Sequence, residues 1–158
     1  MKKQPSSRFC FVCGVENDHG LKVAFYNQEP GIVTANFTIC EKHQGYPGVV
    51  HGGIIAAILD EVAGRSFMNG DSPRFMVTAN LTVRYRRPTP VGLPLKAVGK
   101  ALDDKGKIAK ASGQLFGPDG TLLAEAEVIL AQIPETLTRT AQSAAEDWRV
   151  YPDSEVQS

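Results

Sequence analysis

The residues with the clearest chemical potential lie in one stretch, Val50 to Met68, VHGGIIAAILDEVAGRSFM. It opens on His51-Gly52-Gly53 and carries an acid, Asp60, nine residues after the histidine. The run reads as a helix closed by Asn69-Gly70, since glycine accepts the left-handed conformation that ends a helix. At ~100° per residue two faces appear. Ile54, Ile55, Ile58, Leu59 and Val62 form a bulky apolar face. Gly53, Ala56, Ala57, Ala63 and Gly64 form a face of small residues, with Phe67 at its far end and Asp60 in its middle. Small side chains let a backbone or a ligand approach closely. A carboxylate held there is costly unless it is hydrogen-bonded, paired or used, and burial raises its pKa. The bland alternative is a packing stripe in which Asp60 bonds to a neighbouring amide or hydroxyl. Glu61, on the border between the faces, is expected to reach solvent.

A second group of reactive side chains is Cys10-x-x-Cys13 and Cys40-x-x-His43, whose residue types and local spacings suit tetrahedral zinc. A zinc held by all four would be structural, because four protein ligands leave no open position. Otherwise Cys40 simply ends a strand as a small apolar residue. Three cysteines cannot all pair, and no disulfide scaffold is expected.

The elements that must position these residues follow from pattern. Leu21 to Tyr26 and Gly31 to Ile39 alternate as strands around the turn Asn27 to Gly31, a hairpin ahead of the helix. Cys40 to Val50 is a loop. Phe75 to Tyr85 places Val77, Ala79, Leu81, Val83 and Tyr85 on one face, and Thr78, Asn80, Thr82 and Arg84 on the other. Leu93 to Leu102, Ile108 to Phe116 and Leu122 to Ile133 are three further strands. Asp103-Asp104-Lys105-Gly106 and Gly117-Pro118-Asp119-Gly120 form the hairpin turns between them. Two strands, a helix and four strands with short turns describe an α+β fold, an antiparallel sheet against one long helix. Met1 to Arg8 reads as loose, Ala141 to Trp148 as a short helix, and the last residues as disordered.

With 158 residues, the chain fits one domain with a real core. Hydrophobic content of 42% and charged content of 22% describe an ordinary globular chain. Seventeen basic residues offset 17 acidic ones, so bulk charge recruits neither nucleic acid nor an acidic partner. Apolar runs are too short to span a bilayer, and Met1-Lys2-Lys3 precedes polar residues rather than a signal-peptide core. A cytoplasmic protein is the expectation.

These residues, in this order, resemble the hot-dog fold thioesterases, specifically the PaaI-like acyl-CoA thioesterase group. The matching pieces are Gly45-Tyr46-Pro47-Gly48-Val49-Val50-His51-Gly52-Gly53, Asp60 after them, and Thr78-Ala79-Asn80-Leu81-Thr82-Val83-Arg84-Tyr85 with Arg87-Pro88. Cys10-Phe11-Val12-Cys13-Gly14, with Asn17 and Gly20-Leu21, also occurs in some members, without a matching second metal-binding pair. The resemblance covers about residues 9–132. It divides the chain into an N-terminal segment (1–20), a hot-dog domain (21–133) and a polar tail (134–158).

The resemblance implies a sheet wrapped around the central helix and hydrolysis of an acyl-CoA or acyl-carrier thioester. No cofactor is implied beyond the coenzyme A of the substrate. The Gly52 amide, with Gly53 beside it, would polarise the carbonyl, and Asp60 would act as general base or nucleophile. The two would meet across a homodimer interface, in a dimer or a dimer of dimers, without nucleic acid or membrane. Thr78 would help hold the attacking water, or is an ordinary strand residue. His51 would shape the loop and touch substrate. Gly45 stands where some members have asparagine, and Gln44 could replace that contact. Asn80 would line the substrate site, and Arg84, Arg86 and Arg87 would attract phosphates, unless they are a solvated strand end. Two other readings remain: a non-catalytic acyl-CoA binding module, and a hot-dog dehydratase or hydratase.

Overall fold

The computed structural model describes residues 1–68, 74–134, 136–137 and 148–152. Its strands are β1 (Lys2–Lys3), β2 (Tyr26–Glu29), β3 (Ile32–Thr38), β4 (Met76–Tyr85), β5 (Pro94–Asp104), β6 (Ile108–Phe116) and β7 (Leu122–Gln132). The single long helix among the described residues, α1, spans Gly52–Arg65 and lies between β3 and β4 in the chain. Among the described residues the strands form one antiparallel sheet in the order β1-β2-β3-β5-β6-β7-β4. This is the expected α+β architecture, and β4 lies at the edge of the sheet.

The sheet receives α1 on small inward positions of its middle strands. Ala97 and Gly99 on β5 and Ala111 and Gly113 on β6 face the helix, and Gly99 lies opposite Gly113 in register. A Cβ added at Gly99 would overlap the Val62 carbonyl oxygen, and one at Gly113 would come within 2.8 Å of the Leu59 carbonyl oxygen. Glycine inside a strand here marks a backbone approached by another backbone. Into this trough the helix lowers Ile55, Ile58, Leu59, Val62 and Ala63, all buried. Each fully buried large aliphatic contributes ~1.5–3 kcal/mol, so the bulky face anchors the element. Ala63, assigned from periodicity to the small face, belongs to this buried set. The rest of the small face is open: Gly53 is exposed, and Ala56, Ala57, Asp60 and Gly64 are half-buried.

Several boundaries move. Hydrogen bonds of the i→i−3 type from Ser66, Phe67 and Met68 tighten the last turn after Arg65. The Asn69-Gly70 stop lies outside the described residues. Residues 21–25 are not strand. Leu21 and Val23 bond to the Phe11 and Val12 carbonyls of the Cys10–Gly14 loop, so no ladder forms before Tyr26. Met1 to Arg8 is not loose: β1 pairs with β2, and Gln4 and Ser6 are buried. Ser6 also bridges Arg149, and Tyr151 is buried, so part of the tail packs on the domain. Of the helix expected over 141–148, all but Trp148 lies outside the described residues. No helix among the described residues is long and apolar enough to cross a membrane.

The most consequential difference is in β4. A bulge at Ala79 breaks the pairing with β7 between Thr78 and Asn80. The extra residue resets the two-residue period, so Thr78 shares a face with Leu81, Val83 and Tyr85 instead of with Asn80, Thr82 and Arg84. Their partners on β7 are Leu130, Val128, Ala126 and Ala124, the buried residues that face α1.

Candidate active site

The start of α1 is built by its own cap. His51 is extended (φ −60°, ψ 136°), and its Nδ1 accepts the Gly53 N–H at 2.9 Å. That contact leaves Nε2 as the protonated nitrogen of the neutral ring. The His51 carbonyl accepts from Ile54 and Ile55. Of the N–H groups in the first turn, Gly52 alone is left with no acceptor among the described residues. The Gly52 carbonyl accepts a hydrogen bond from the Tyr85 hydroxyl at 2.8 Å, which fixes the peptide from below. The expected pair of amides is therefore a single free donor, since Gly53 is consumed by His51.

Gly52 lines a cleft of about 340 Å³ with Val49, Tyr85, Arg86, Arg87 and Thr89. Gln44 accepts from the Gly48 N–H at 3.1 Å and so shapes the approach loop. Gly45 packs at the His51 ring, where an added Cβ would meet the ring's Cδ2 at 3.6 Å.

Asp60 lies on the same helix eight residues beyond Gly52, ~12 Å along the axis at 1.5 Å per residue. Thr78 donates its hydroxyl to Asp60 Oδ1 at 2.6 Å, a contact that exists because the bulge turned Thr78 inward. Burial raises the Asp60 pKa, the Thr78 hydrogen bond opposes that rise, and the charge of Glu61 adds to it. A small cleft of about 100 Å³ opens here, lined by Asp60, Glu61, Gly64, Met76 and Thr78. A half-buried carboxylate with a raised pKa and one hydroxyl partner can accept a proton from a bound water. A free helix N-terminal amide can stabilise a developing oxyanion.

The other expected residues divide. Arg86 is committed to Glu125 in an ion pair, its Nε and Nη2 both donating to Oε1. Arg87 remains beside the Gly52 cleft. Asn80, which accepts from Thr82, and Arg84 lie on the face of the sheet away from α1, so the chain does not bring them to Asp60. A groove of about 830 Å³ also lies on that outer face between Asn36, Thr38, Lys96 and Phe116, and contains none of the reactive side chains.

The four-residue zinc set does not assemble. Cys40 Sγ lies 3.5 Å from His43 Nδ1, and His43 Nε2 lies 3.3 Å from the His19 carbonyl. Cys10 and Cys13 gather instead with Glu61. Local spacing matched each pair, but the fold places them apart. Glu61, expected to reach solvent, is drawn in by Arg65, whose Nε donates to it at 2.8 Å. The sequence reading missed Tyr85 as the support of Gly52. It also missed Arg65, a helical cation only 1% exposed, whose basic character hid its burial.

Residues 47–124 match the family model of the thioesterase superfamily, a span holding α1, β4, β5 and β6. The chain is 36% identical over 91 residues to the acyl-coenzyme A thioesterase THEM4 of Rattus norvegicus, covering 57% of this chain and 38% of that protein. The THEM4 of Xenopus laevis is 32% identical over 101 residues, 63% of this chain and 44% of that protein. The chain thus spans less than half the length of these curated relatives. The crystal structure of RHA08564, a thioesterase superfamily protein, superposes with a TM-score of 0.72 at 33% identity. That match covers 78% of this chain and 63% of the other. Family model, relatives and architecture agree: the chain has the hot-dog fold, and over residues 47–124 it carries the sequence pattern of the thioesterase superfamily.

Proposed function

We propose that this protein is an acyl-CoA thioesterase, cleaving a thioester to a free acid and coenzyme A. The observation that carries the reading is the Thr78–Asp60 hydrogen bond on the open face of a helix whose Gly52 amide is free. Asp60 takes a proton from a water that attacks the thioester carbonyl. The Gly52 N–H receives the oxyanion, and collapse of the tetrahedral intermediate expels the thiolate of coenzyme A. A nucleophilic Asp60 would form an anhydride at the same position, and the general base is preferred here because Thr78 can share the water. Arg87, beside the Gly52 cleft, is the arginine best placed for a coenzyme A phosphate.

One chain cannot complete this site. Hydrogen-bond reach is ~3 Å, whereas Gly52 and Asp60 are ~12 Å apart on a rigid helix. In a two-fold dimer, Gly52 of each chain would meet Asp60 of the other. The open small-residue face of α1 beside β4, the edge strand among the described residues, supports that pairing. The curated relatives are named acyl-coenzyme A thioesterases, which supports the carrier.

The test is free-thiol release from acetyl-, hexanoyl-, palmitoyl-, phenylacetyl- and benzoyl-CoA, wild type beside Asp60→Asn. Loss of a general base lowers kcat by ~10²–10⁴-fold, with folding and oligomer size intact. Turnover that survives the substitution would remove Asp60 from the chemistry.

A further inference from the structure

The loop before β2 contains a second reactive centre that the thioesterase reading does not use. Cys10 and Cys13 are both free thiols. The segment is a turn closed by the Gly14 N–H on the Cys10 carbonyl at 2.8 Å, and a Cβ at Gly14 would overlap that carbonyl. A single helical turn of this i→i+4 kind puts side chains three residues apart ~5–6 Å from one another at their Cβ atoms, close to the separation that a disulfide requires. The sulfurs of Cys10 and Cys13 and a carboxylate oxygen of Glu61 all lie within 4.8 Å of one another. The two thiols are unequal in access, Cys10 being half-buried and Cys13 only 1% exposed.

Behind them lies an unusual buried cation. The Arg65 guanidinium lies over the Phe25 ring at 4.4 Å and the Trp148 ring at 5.1 Å. Its Nε bonds Glu61, and its Nη1 bonds Gln4 and the Pro5 carbonyl. Its Nη2 is buried with no hydrogen-bond partner among the described residues. A fixed positive charge paired to Glu61 opposes a metal cation at the cluster. The same charge favours the thiolate of Cys13 once its proton leaves.

We propose that Cys10 and Cys13 form a thiol–disulfide exchange site whose substrate is a low-molecular-weight disulfide. Cys10 is the attacking sulfur and Cys13 the resolving one. The Cys10 thiolate attacks one sulfur of RS–SR, forming Cys10–S–SR and releasing RS⁻. Cys13 gives its proton to the Glu61 carboxylate, and its thiolate attacks Cys10 Sγ, closing the Cys10–Cys13 disulfide and expelling the second RS⁻. The protein dithiol loses two electrons and two protons, and the disulfide gains both as two RSH. The hydrogen bond from Cys13 to the Cys10 sulfur, the main cause, lowers the Cys10 pKa to about 6 against burial and the Glu61 charge, which raise it, and a backbone N–H from Cys13 at 3.5 Å assists. The bond to Cys10 and burial keep the Cys13 proton in place until exchange begins. A thiol near this acidity is both ionised and nucleophilic at neutral pH.

The experiment treats the reduced full chain with oxidised glutathione, quenches with acid, alkylates the remaining thiols and maps them by mass spectrometry. Wild type is expected to form the Cys10–Cys13 disulfide with loss of two hydrogens and no retained glutathione, while Cys40 stays alkylatable. Cys13→Ser should trap one glutathione on Cys10, and Cys10→Ser should leave Cys13 unreacted. On wild type alone, iodoacetamide should modify Cys10 several-fold faster than Cys40 at pH 7. A persistent glutathione adduct on wild type overturns the assignment. So does equal alkylation of Cys10 and Cys40, or one zinc per chain retained after gel filtration with both thiols shielded. None of these readouts depends on thioester hydrolysis.

Discussion

Asp60 sits where its burial and its single hydroxyl partner pull in opposite directions. Burial raises its pKa, and the Thr78 bond, which favours the charged form, lowers it. Hydrolysis in the proposed mechanism needs the carboxylate. Activity should therefore fall as pH drops through the raised value, at a higher pH than an ordinary aspartate near ~4 would give. Thr78→Val removes the opposing bond, so the acid limb of kcat/KM should move to still higher pH while maximal kcat falls. A limb that stays in place would show that Thr78 does not tune Asp60. The same environment has a stability consequence. A carboxylate whose folded pKa is raised binds protons more readily folded than unfolded, so above its unfolded pKa the charge destabilises the fold. Asp60→Asn should then melt no lower than wild type at neutral pH, in contrast to its effect on turnover.

At the scale of the element, the position of both ends of α1 depends on how closely it lies on the sheet. Gly99 and Gly113 are side by side beneath Val62 and Leu59, and the helix backbone rests on them. Gly99→Ala would force the helix away from β5. A destabilisation of ~3 kcal/mol is expected from such overpacking, read as a lower denaturant midpoint. The displacement should also lengthen the Thr78–Asp60 contact and reduce turnover in the fraction that folds. A variant of wild-type stability would mean that the trough is wider than the glycines indicate. The bulge at Ala79 belongs to the same scale. It is one extra residue in β4, and it decides which face carries Thr78.

Across the whole molecule, the proposed site is split between the start of one helix and a position two turns along it, and symmetry offers the means of joining them. Proline is tolerated at the first helical position, where its missing N–H would otherwise be unpaired. Gly52→Pro should therefore remove the free amide and abolish turnover, as Asp60→Asn does. Unfolding the two inactive variants together and refolding them allows mixed dimers, each with one intact pair of Gly52 and Asp60. Recovery of about a quarter of wild-type activity is expected from random two-fold pairing. No recovery, with mixed dimers demonstrated by mass spectrometry, would place both groups in one chain's site or in none.

The α+β class, the long helix and the succession of the four strands after it along the chain were legible because their causes are local. Periodicity separates α1 from the strands, and turn residues such as Gly106 and Gly120, both at positive φ, separate the strands from one another. Asp60 and the His51-Gly52-Gly53 opening were legible for the same reason, since a helix of known pitch places them on its surface without reference to the rest of the chain. Tertiary structure decided the rest. The bulge that turns Thr78 toward Asp60 is a mismatch between β4 and β7, invisible in either strand alone. The choice of Gly52 over Gly53 follows from a His51 ring orientation that only the folded loop sets. Cys10 and Cys13 meet Glu61 rather than Cys40 and His43 because contacts between distant segments depend on packing, which spacing along a chain does not encode. Arg65 could be buried because Gln4, Pro5, Glu61 and Phe25 converge on it from separate parts of the chain, and no local pattern announces such a convergence.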